Sequence, residues 1–578
     1  MDNAQISAVF DELADLLEFK GENPFRIRAY RNGARAILDL DESVAAILAD
    51  KDRKLADLPG IGKTLAEKSQ VLLESGSLPQ LDALREEIPV SVLEMVRVPG
   101  LGAKKAAALH RELRIENLQQ LGDACRQGKV KGLKGFGAKT QQMILEGLEI
   151  AQAANERLRW VNADEIVQRL LRHMKSCLGL ERLEPAGSYR RGRETVGDVD
   201  LLAVATDRAA AMDHLESFPS RTETILRGDT KISIRVGNAF QVDMRIVEAS
   251  QFGAALQYFT GSKEHNVKLR SLAKQRGMKI NEYGLFRDGS EEPIAGETEE
   301  SIYAALDLPC FPPEIREARF EFQWAEDGPL PELITLPQIL GDLHMHTTET
   351  DGQATIREMA DAAVERGLQY IAITDHSQRV AMAGGLDPDR LRAQWKLIEQ
   401  IRPEYEGRLQ ILKGIECDIL EDGRMDLPDD CLAEGDWIIA SIHYGQKQPR
   451  EQITDRILGA LAHPSVNIIA HPTGRLINRR PPYDVDMEAV IQAAADHGKM
   501  LELNANPARL DLNEVHLAAA RRAGVPIVIS TDAHSIDGLD VMQYGVLQGR
   551  RGGLAANDVA NTRPWDDFKA SYLSPQTS

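Results

Sequence analysis

Little in this 578-residue chain marks it for an oxidising compartment or a membrane. Its five cysteines, at 125, 177, 310, 417 and 431, are odd in number and form no C-x-x-C pair. That argues against a disulfide framework and for a reducing cytoplasm. No apolar run approaches the ~18 residues that a membrane-spanning helix requires. The N-terminus, MDNAQISAVFDELADLL, is acidic with a helical pattern and lacks the basic-then-apolar order of a secretion signal. Basic residues are in deficit, with a formal net charge of −20. At face value this disfavours a polyanionic partner, unless positive charge is concentrated locally. The length exceeds what one core can serve, so several domains are expected.

Histidine, by contrast, is concentrated. Nine of the 13 histidines lie beyond residue 340, and six of those nine close strand-like runs. With three carboxylates they make nine candidate metal ligands: His344, His346, Asp351, His376, Glu416, His443, His471, Asp532 and His534. Apolar β-branched runs (YIAIT, WIIASI, NIIA, PIVIS) precede most of them. A strand buried on both faces, ending in a ligand and followed by a helical stretch, is how a β/α barrel gathers side chains at one mouth. His344 and His346 form an H-x-H pair, which a strand points to one side. Nitrogen and oxygen ligands without thiolate suit Zn²⁺ or Mn²⁺. His463, His497 and His516 fall in helical or loop text and are left out.

This set resembles the PHP (polymerase and histidinol phosphatase) family of metal-dependent phosphoesterases, with all nine motif positions filled. The resemblance implies up to three ions, Mn²⁺ and/or Zn²⁺. One would take His344, His346, Glu416 and Asp532; a second would share Glu416 and add His443 and His471; a third would take Asp351, His376 and His534.

The N-terminal third repeats one phrase: LPGIGKTLAEK at 58–68, VPGLGAKKAAAL at 98–109 and LKGFGAKTQQMI at 133–144. Each pairs two glycines around an apolar residue and then runs into a helix. The glycines, Gly60 and Gly62, Gly100 and Gly102, Gly135 and Gly137, allow a tight turn whose backbone N–H groups face outward at the next helix. Lys63, Lys104, Lys105 and Lys139 flank those turns. This is helix-hairpin-helix geometry, which grips a phosphate backbone without reading bases. It localises the positive charge that the composition lacks.

The middle third carries three carboxylates. VDLLAVA reads as a buried strand, and Asp198 and Asp200, two residues apart, share one of its faces. FQVDMRIV, a neighbouring strand, presents Asp243. Three converging carboxylates call for a divalent cation, and oxygen-only ligation favours Mg²⁺ or Mn²⁺. Two such ions suit in-line displacement at a triphosphate.

GSYRRGRETVGDVD, QVDMR and YFTGSKEHNVKLR resemble the nucleotidyltransferase core of family X DNA polymerases. The resemblance implies that Asp198, Asp200 and Asp243 hold the metals. Gly187, Ser188 and Arg191 would bind the triphosphate, and Tyr258, Phe259 and Gly261 would pack around the incoming sugar. Asn266 and Arg270 would reach the nascent pair and the template. Lys68 matches the Schiff-base lysine of the animal polymerase beta, with Arg26, Tyr30 and Arg31 as candidate 5′-phosphate contacts. Two positions depart from the pattern. Gln241 stands where the animal enzyme has an Arg beside the third Asp, and Lys263 replaces an acidic residue.

The expected architecture is multidomain. Residues 1–80 form a helical lyase-like DNA-binding domain and 81–155 fingers with helix-hairpin-helix motifs. An α+β nucleotidyltransferase palm covers 156–256, a thumb 257–320, a linker 321–338 and a distorted β/α (PHP) barrel 339–575. The expected function is a monomeric repair polymerase that fills short gaps in DNA from deoxynucleoside triphosphates. Its PHP barrel would act as a Mn²⁺-dependent 3′–5′ exonuclease, with abasic or blocked 3′ ends as further targets. Arg379, Arg475, Arg479 and Arg480 follow ligand-bearing strands and are candidate phosphate contacts. The alternatives are a small-molecule phosphatase, a non-catalytic DNA-binding scaffold and a non-templated nucleotidyltransferase.

Overall fold

The computed structural model describes residues 1, 3–38, 40, 43–50, 53–58, 60–88, 95, 98, 101, 103–133, 135–138, 140–145, 148, 157–237 and 240–573. The chain divides into two compact units, Met1–Arg157 with Arg235–Phe240, and Leu158–Ile234 with Gln241–Ser578. No helix among the described residues is long and apolar enough to cross a membrane. All five cysteines are free.

The first unit is helical and built on a repeat. In each copy the chain takes two successive i→i+3 backbone bonds. Leu58 N donates to Leu55 O and Ile61 N to Leu58 O; Val98 N donates to Met95 O and Leu101 N to Val98 O; Leu133 N donates to Val130 O and Phe136 N to Leu133 O. Ile61, Leu101 and Phe136 plug into the interior. Gly60 and Gly135 sit at φ +84° and +89°, a region other residues enter only with strain. The helix Lys63–Ser75 then starts at Gly62, and Ala103–Leu113 follows the second turn. One apolar cluster runs from Phe10 and Leu13 through Ile61 to Leu109, Leu121 and Ile144. The stretches 1–80 and 81–155 therefore share a core.

Residues 180–246 hold a five-stranded sheet of β1 (Leu180–Pro185), β2 (Asp198–Ala205), β3 (Arg221–Arg227), β4 (Lys231–Val236) and β5 (Phe240–Ile246), in the order β1-β2-β5-β4-β3. The alternating burial of FQVDMRI, with Phe240, Val242, Met244 and Ile246 inward, leaves Gln241, Asp243 and Arg245 on the other face. Helices Phe252–Thr260 and Lys263–Gln275 follow. A second core around Tyr303, Phe311 and Ile315 takes in Phe322 and Leu333. The segment expected as a linker thus contributes a helix, Glu321–Asp327, and apolar anchors. Its apolar residues are too widely spaced to show periodicity in sequence.

Beyond it lie β6 (Gly341–Asp342), β7 (Tyr370–Ile373), β8 (Gln410–Asp418), β9 (Trp437–Ser441), β10 (Ile468–Ile469), β11 (Met500–Asn504) and β12 (Ile527–Ser530). They form one parallel sheet in chain order. Past β6 and β12 the ring nearly closes, because Asp532 N donates to His344 O (2.9 Å) and His346 N to Ala533 O (2.8 Å). The strands are buried on both faces. In β7, Ile371 and Ile373 enter the cluster shared with the surrounding helices. Tyr370 and Ala372 enter another with Trp437 and Phe568. Ile371 and Ile373 each contribute about 1.5–3 kcal/mol by burial.

Candidate active sites

In the palm sheet β2 and β5 pair in parallel, with Asp200 opposite Asp243 and Asp198 opposite Gln241. Register alone therefore puts two carboxylates side by side. The short helix Gly187–Arg190 begins directly over them. Gly187 has φ +65°, and a Cβ there would lie 2.8 Å from Asp200 Oδ2, so only glycine lets this turn rest on the carboxylate. Burial, with repulsion from Asp198 and Asp243, pushes the Asp200 carboxyl up to about 6. Burial acts the same way on Asp243, but hydrogen bonds from Lys231 and Gln241 hold it below its ordinary value. Lys231 Nζ lies 2.5 Å from Asp243 Oδ2 and Gln241 Nε2 donates to Oδ1 at 2.9 Å. The cation that Gln241 does not supply thus comes from the adjoining strand β4.

Around this pair the structure gathers most of the expected nucleotide contacts. Ser188 is half-buried on the glycine turn. Arg191 is buried; its guanidinium donates to Glu317 Oε1 (3.1 Å) and to the Thr260 carbonyl. Gly261, at φ +64°, brings its backbone close enough that a Cβ would sit 3.5 Å from Arg191 Nη1. Asn266 Nδ2 donates to Tyr258 O at 2.7 Å. The Tyr258 and Phe259 rings meet edge to face. Arg270 is exposed, four residues beyond Asn266 on its helix, and Lys263 is exposed at that helix's start.

In the barrel all nine expected ligands reach one mouth. Glu416, fully buried in β8, is the hub. His376 Nδ1 lies 2.9 Å from its Oε2 and His471 Nε2 2.9 Å from its Oε1. His344, His346 and His443 stand 3.5–3.7 Å away. Asp532 Oδ1 is 3.1 Å from His346 Nε2 and 3.6 Å from His344 Nε2. Asp351 Oδ2 is 3.5 Å from His376 and 3.4 Å from His534. Three overlapping sets have ligand atoms within 4.8 Å of one another: His346, Asp351, His376 and His534; His344, His346 and Glu416; and His376, Glu416 and His443. His346 and His376 each belong to two sets. Buried His344 Nε2 and His346 Nδ1 have no hydrogen-bond partner among the described residues. Nitrogens aimed at a shared centre beside carboxylates fit divalent ions.

The charges agree with the geometry. Burial alone would depress His344, but Glu502, Asp532 and Glu416 raise it well above its ordinary value. His376, despite burial, is raised to about 10 by Glu416 and Asp351. The same imidazoles hold Glu416 well below the usual carboxylate range, against the effect of its burial.

Sequence reasoning passed over the groups that orient these ligands. Glu502 Oε1 takes His344 Nδ1 at 2.6 Å, and its Oε2 accepts from His471 N at 2.7 Å. Asp418 Oδ1 lies 3.1 Å from His443 Nδ1. Such partners fix which ring nitrogen faces the metal. Asn504 Nδ2 donates to Asp532 Oδ2 (3.1 Å), and Arg509 Nε lies 3.5 Å from that oxygen. The available signal was a carboxylate inside a fully buried run, as in MLELN. Of the candidate phosphate contacts, Arg475 is turned to Glu194 and to the carbonyls of Arg509 and Leu510. Arg480 donates to Gly474 O. Arg379 pairs with Glu421 and lies over the Tyr444 ring. Arg479 is exposed.

In the helical unit Gly60, Gly62, Lys63, Gly135 and Gly137 are exposed. Gly100, Gly102 and Lys139 lie outside the described residues, as does the Lys104 side chain. Lys68 Nζ donates to Gln80 Oε1 (2.9 Å) and stands 6.0 Å above the ring of buried Tyr30. Arg26 is exposed, 3.6 Å from Glu22, and Arg31 pairs with Asp15 and Glu18.

Family models match four stretches: a helix-hairpin-helix domain over residues 1–78, a SAM-like helix-hairpin-helix tandem over 92–149, a DNA polymerase beta thumb over 255–317 and a PHP domain over 342–506. The DNA polymerase/3'-5' exonuclease PolX of Bacillus subtilis (strain 168) is 42% identical over 573 residues, 99% of this chain and 99% of that protein. DNA polymerase lambda of Rattus norvegicus is 26% identical over 344 residues, 54% of this chain and 56% of its own length. A probable phosphatase of Thermoanaerobacter sp. (strain X514) is 32% identical over 233 residues, 38% of this chain and 89% of its own.

Proposed function

The chain belongs to the family X DNA polymerases that carry a C-terminal PHP domain, and from that premise we propose that it is a repair polymerase and 3′–5′ exonuclease acting on short gaps in DNA. The observation that carries this reading is that two complete sites stand in one chain alignable end to end with such an enzyme. One is Asp200 in register with Asp243 under the glycine turn. The other is the barrel mouth, where the nine candidate ligands meet.

In the palm, Asp198, Asp200 and Asp243 would hold Mg²⁺ or Mn²⁺. Such ions, when bound, lower the cost of ionising a primer 3′-hydroxyl and neutralise the triphosphate for in-line displacement. The backbone of Gly187, the Ser188 hydroxyl and the Arg191 guanidinium bind triphosphate oxygens. Tyr258, Phe259 and Gly261 pack on the incoming sugar. Asn266 and Arg270 face the nascent pair and the template, which makes the addition templated.

In the barrel the nine ligands would hold up to three ions, Mn²⁺ and/or Zn²⁺, which supply Lewis acidity and charge for phosphodiester hydrolysis. Glu502 and Asp418 orient the histidines. Arg509, beside Asp532, stands where it can meet a phosphate. The same mouth suits abasic and blocked 3′ ends. In the helical unit the turns at Gly60, Gly62 and Lys63 and at Gly135 and Gly137 present backbone N–H groups to DNA phosphates, with Gly100, Gly102, Lys104 and Lys139 as their counterparts. Lys68, with Arg26 and Tyr30, serves a 5′ abasic end. The enzyme works as a monomer, in the cytoplasm.

A 5′-labelled primer in a one-nucleotide-gapped duplex with Mn²⁺ tests this. The expected result is one templated addition when deoxynucleoside triphosphates are present, and stepwise shortening when they are withheld. Extension without shortening would assign the barrel to another phosphoester. Hydrolysis of a small phosphate ester with neither DNA reaction would favour the phosphatase reading, which the relatives confined to the barrel exemplify.

A further inference from the structure

One barrel helix, Met542–Arg551, lies against the turn that would bind the triphosphate. Leu547 packs on Gly192 so closely that a Cβ on that glycine would be 2.6 Å from Leu547 Cδ1. Tyr544 meets Trp160 edge-on, and Trp160 stacks on Tyr189 of the turn at 5.2 Å. At the end of the helix stands Arg551, 1% exposed. Its Nη1 donates to the backbone carbonyl of Arg191 at 2.7 Å and to Glu317 Oε1 at 3.2 Å; its Nη2 donates to Glu514 Oε1 at 2.7 Å. Glu317 is thereby shared. The same oxygen takes Arg191 Nε at 3.1 Å and lies 3.6 Å from Arg193.

We propose that Arg551, a residue of the phosphoesterase barrel, is a positioning residue for the polymerase's nucleotide-binding turn. The proposal rests on the assignment of that turn to triphosphate under Proposed function. Its physical content is twofold. Arg551 fastens the carbonyl that ends the turn, so the Gly187 and Ser188 donors keep their place. It also divides the charge of Glu317, so that carboxylate does not spend itself on Arg191. Without Arg551, Glu317 neutralises Arg191 more fully and leaves less positive field for the phosphates. A second tie runs the same way, from Arg475 Nη2 to Glu194 Oε2 at 2.7 Å. The barrel is then part of the polymerase's scaffold as well as a separate catalyst.

The test uses full-length Arg551→Gln and Arg551→Lys, with single-nucleotide gap filling measured across nucleotide concentration. Shortening of the same labelled primer and the melting temperature are measured alongside. Arg551→Gln should raise the nucleotide KM roughly tenfold or more, the scale of a lost hydrogen bond between charged groups, with a smaller change in kcat and unchanged shortening. Arg551→Lys keeps the charge but cannot fork to three acceptors, and should give an intermediate KM. A merely structural role would move stability and both activities together. A folded Gln variant with parental KM overturns the proposal. Should removing a buried charge partner unfold that variant, a Lys variant with parental KM overturns it equally. A parent enzyme that adds no nucleotide overturns the functional reading and this proposal with it; normal parental addition with insensitive variants overturns this proposal alone.

Discussion

The barrel mouth and the palm sheet each gather candidate metal ligands, with opposite electrostatics. In the barrel six imidazoles are interleaved with three carboxylates, and the ligand atoms of five of those imidazoles and two carboxylates converge within 4.8 Å in three overlapping sets. Opposite charges attract, so imidazoles beside carboxylates favour such a gathering. The palm has only carboxylates. Like charges repel, and Asp198, Asp200 and Asp243 are not among the sets within that limit. They are kept near one another by strand register, while Asp243 turns to Lys231. Backbone strain differs in the same sense. The barrel strains its own ligands, with His471 at φ +30° and Asp532 at φ +55°. The palm puts a left-handed residue beside Asp200, at Gly187, where the missing Cβ removes the steric cost.

The sharpest way to break the comparison is to remove each site in turn. His344→Ala with His346→Ala should lower primer shortening by roughly a thousandfold or more and leave extension intact, while Asp200→Ala should do the reverse. Loss of extension in a folded His344/His346 variant would contradict two independent catalytic centres.

A smaller effect probes how the barrel's histidines are oriented. Glu502→Gln leaves the nine ligands in place but weakens the acceptor that turns His344, and should cost about 10–100-fold in Mn²⁺ affinity or in shortening. The check is a Mn²⁺ titration of exonuclease rate; an unshifted titration would remove Glu502 from the site.

That residue also marks the limit of what sequence reveals. The gathering of the nine candidate ligands at one mouth was legible because most of them follow an apolar run, so position in the motif and position in the barrel coincide. Asp198, Asp200 and Asp243 were legible because a two-residue period fixes the face of a strand. The repeated glycine phrase foretold the backbone bonds from Ile61 N to Leu58 O, Leu101 N to Val98 O and Phe136 N to Leu133 O. Glu502 and Asp418 were not legible, because a carboxylate inside a buried strand declares itself only when its partner, 158 residues away for Glu502 and His344, is known. Lys231 was missed for a related reason: strand order, not sequence order, sets it beside Asp243. The Arg191–Glu317 pair, 126 residues apart, belongs to the same class. Closure of the ring rests on bonds between the two most distant strands, and local pattern cannot distinguish it from an open sheet.

The smallest effect tests where the palm keeps its close contact. Gly187→Ala adds a single methyl, 2.8 Å from Asp200 Oδ2 and at φ +65°. The left-handed conformation costs an alanine about 1–2 kcal/mol, and the methyl must displace the turn or the carboxylate. The three atoms nearest such a methyl all belong to Asp200, so shortening should stay at the parental rate. Extension should fall by about tenfold, the factor that ~1.4 kcal/mol gives when it is lost only at the transition state. Gap-filling rates at saturating nucleotide, set against shortening of the same primer, measure it. A folded Gly187→Ala enzyme with parental extension would mean that the turn is free to move off Asp200, and the palm would then be as tolerant at this point as a surface loop.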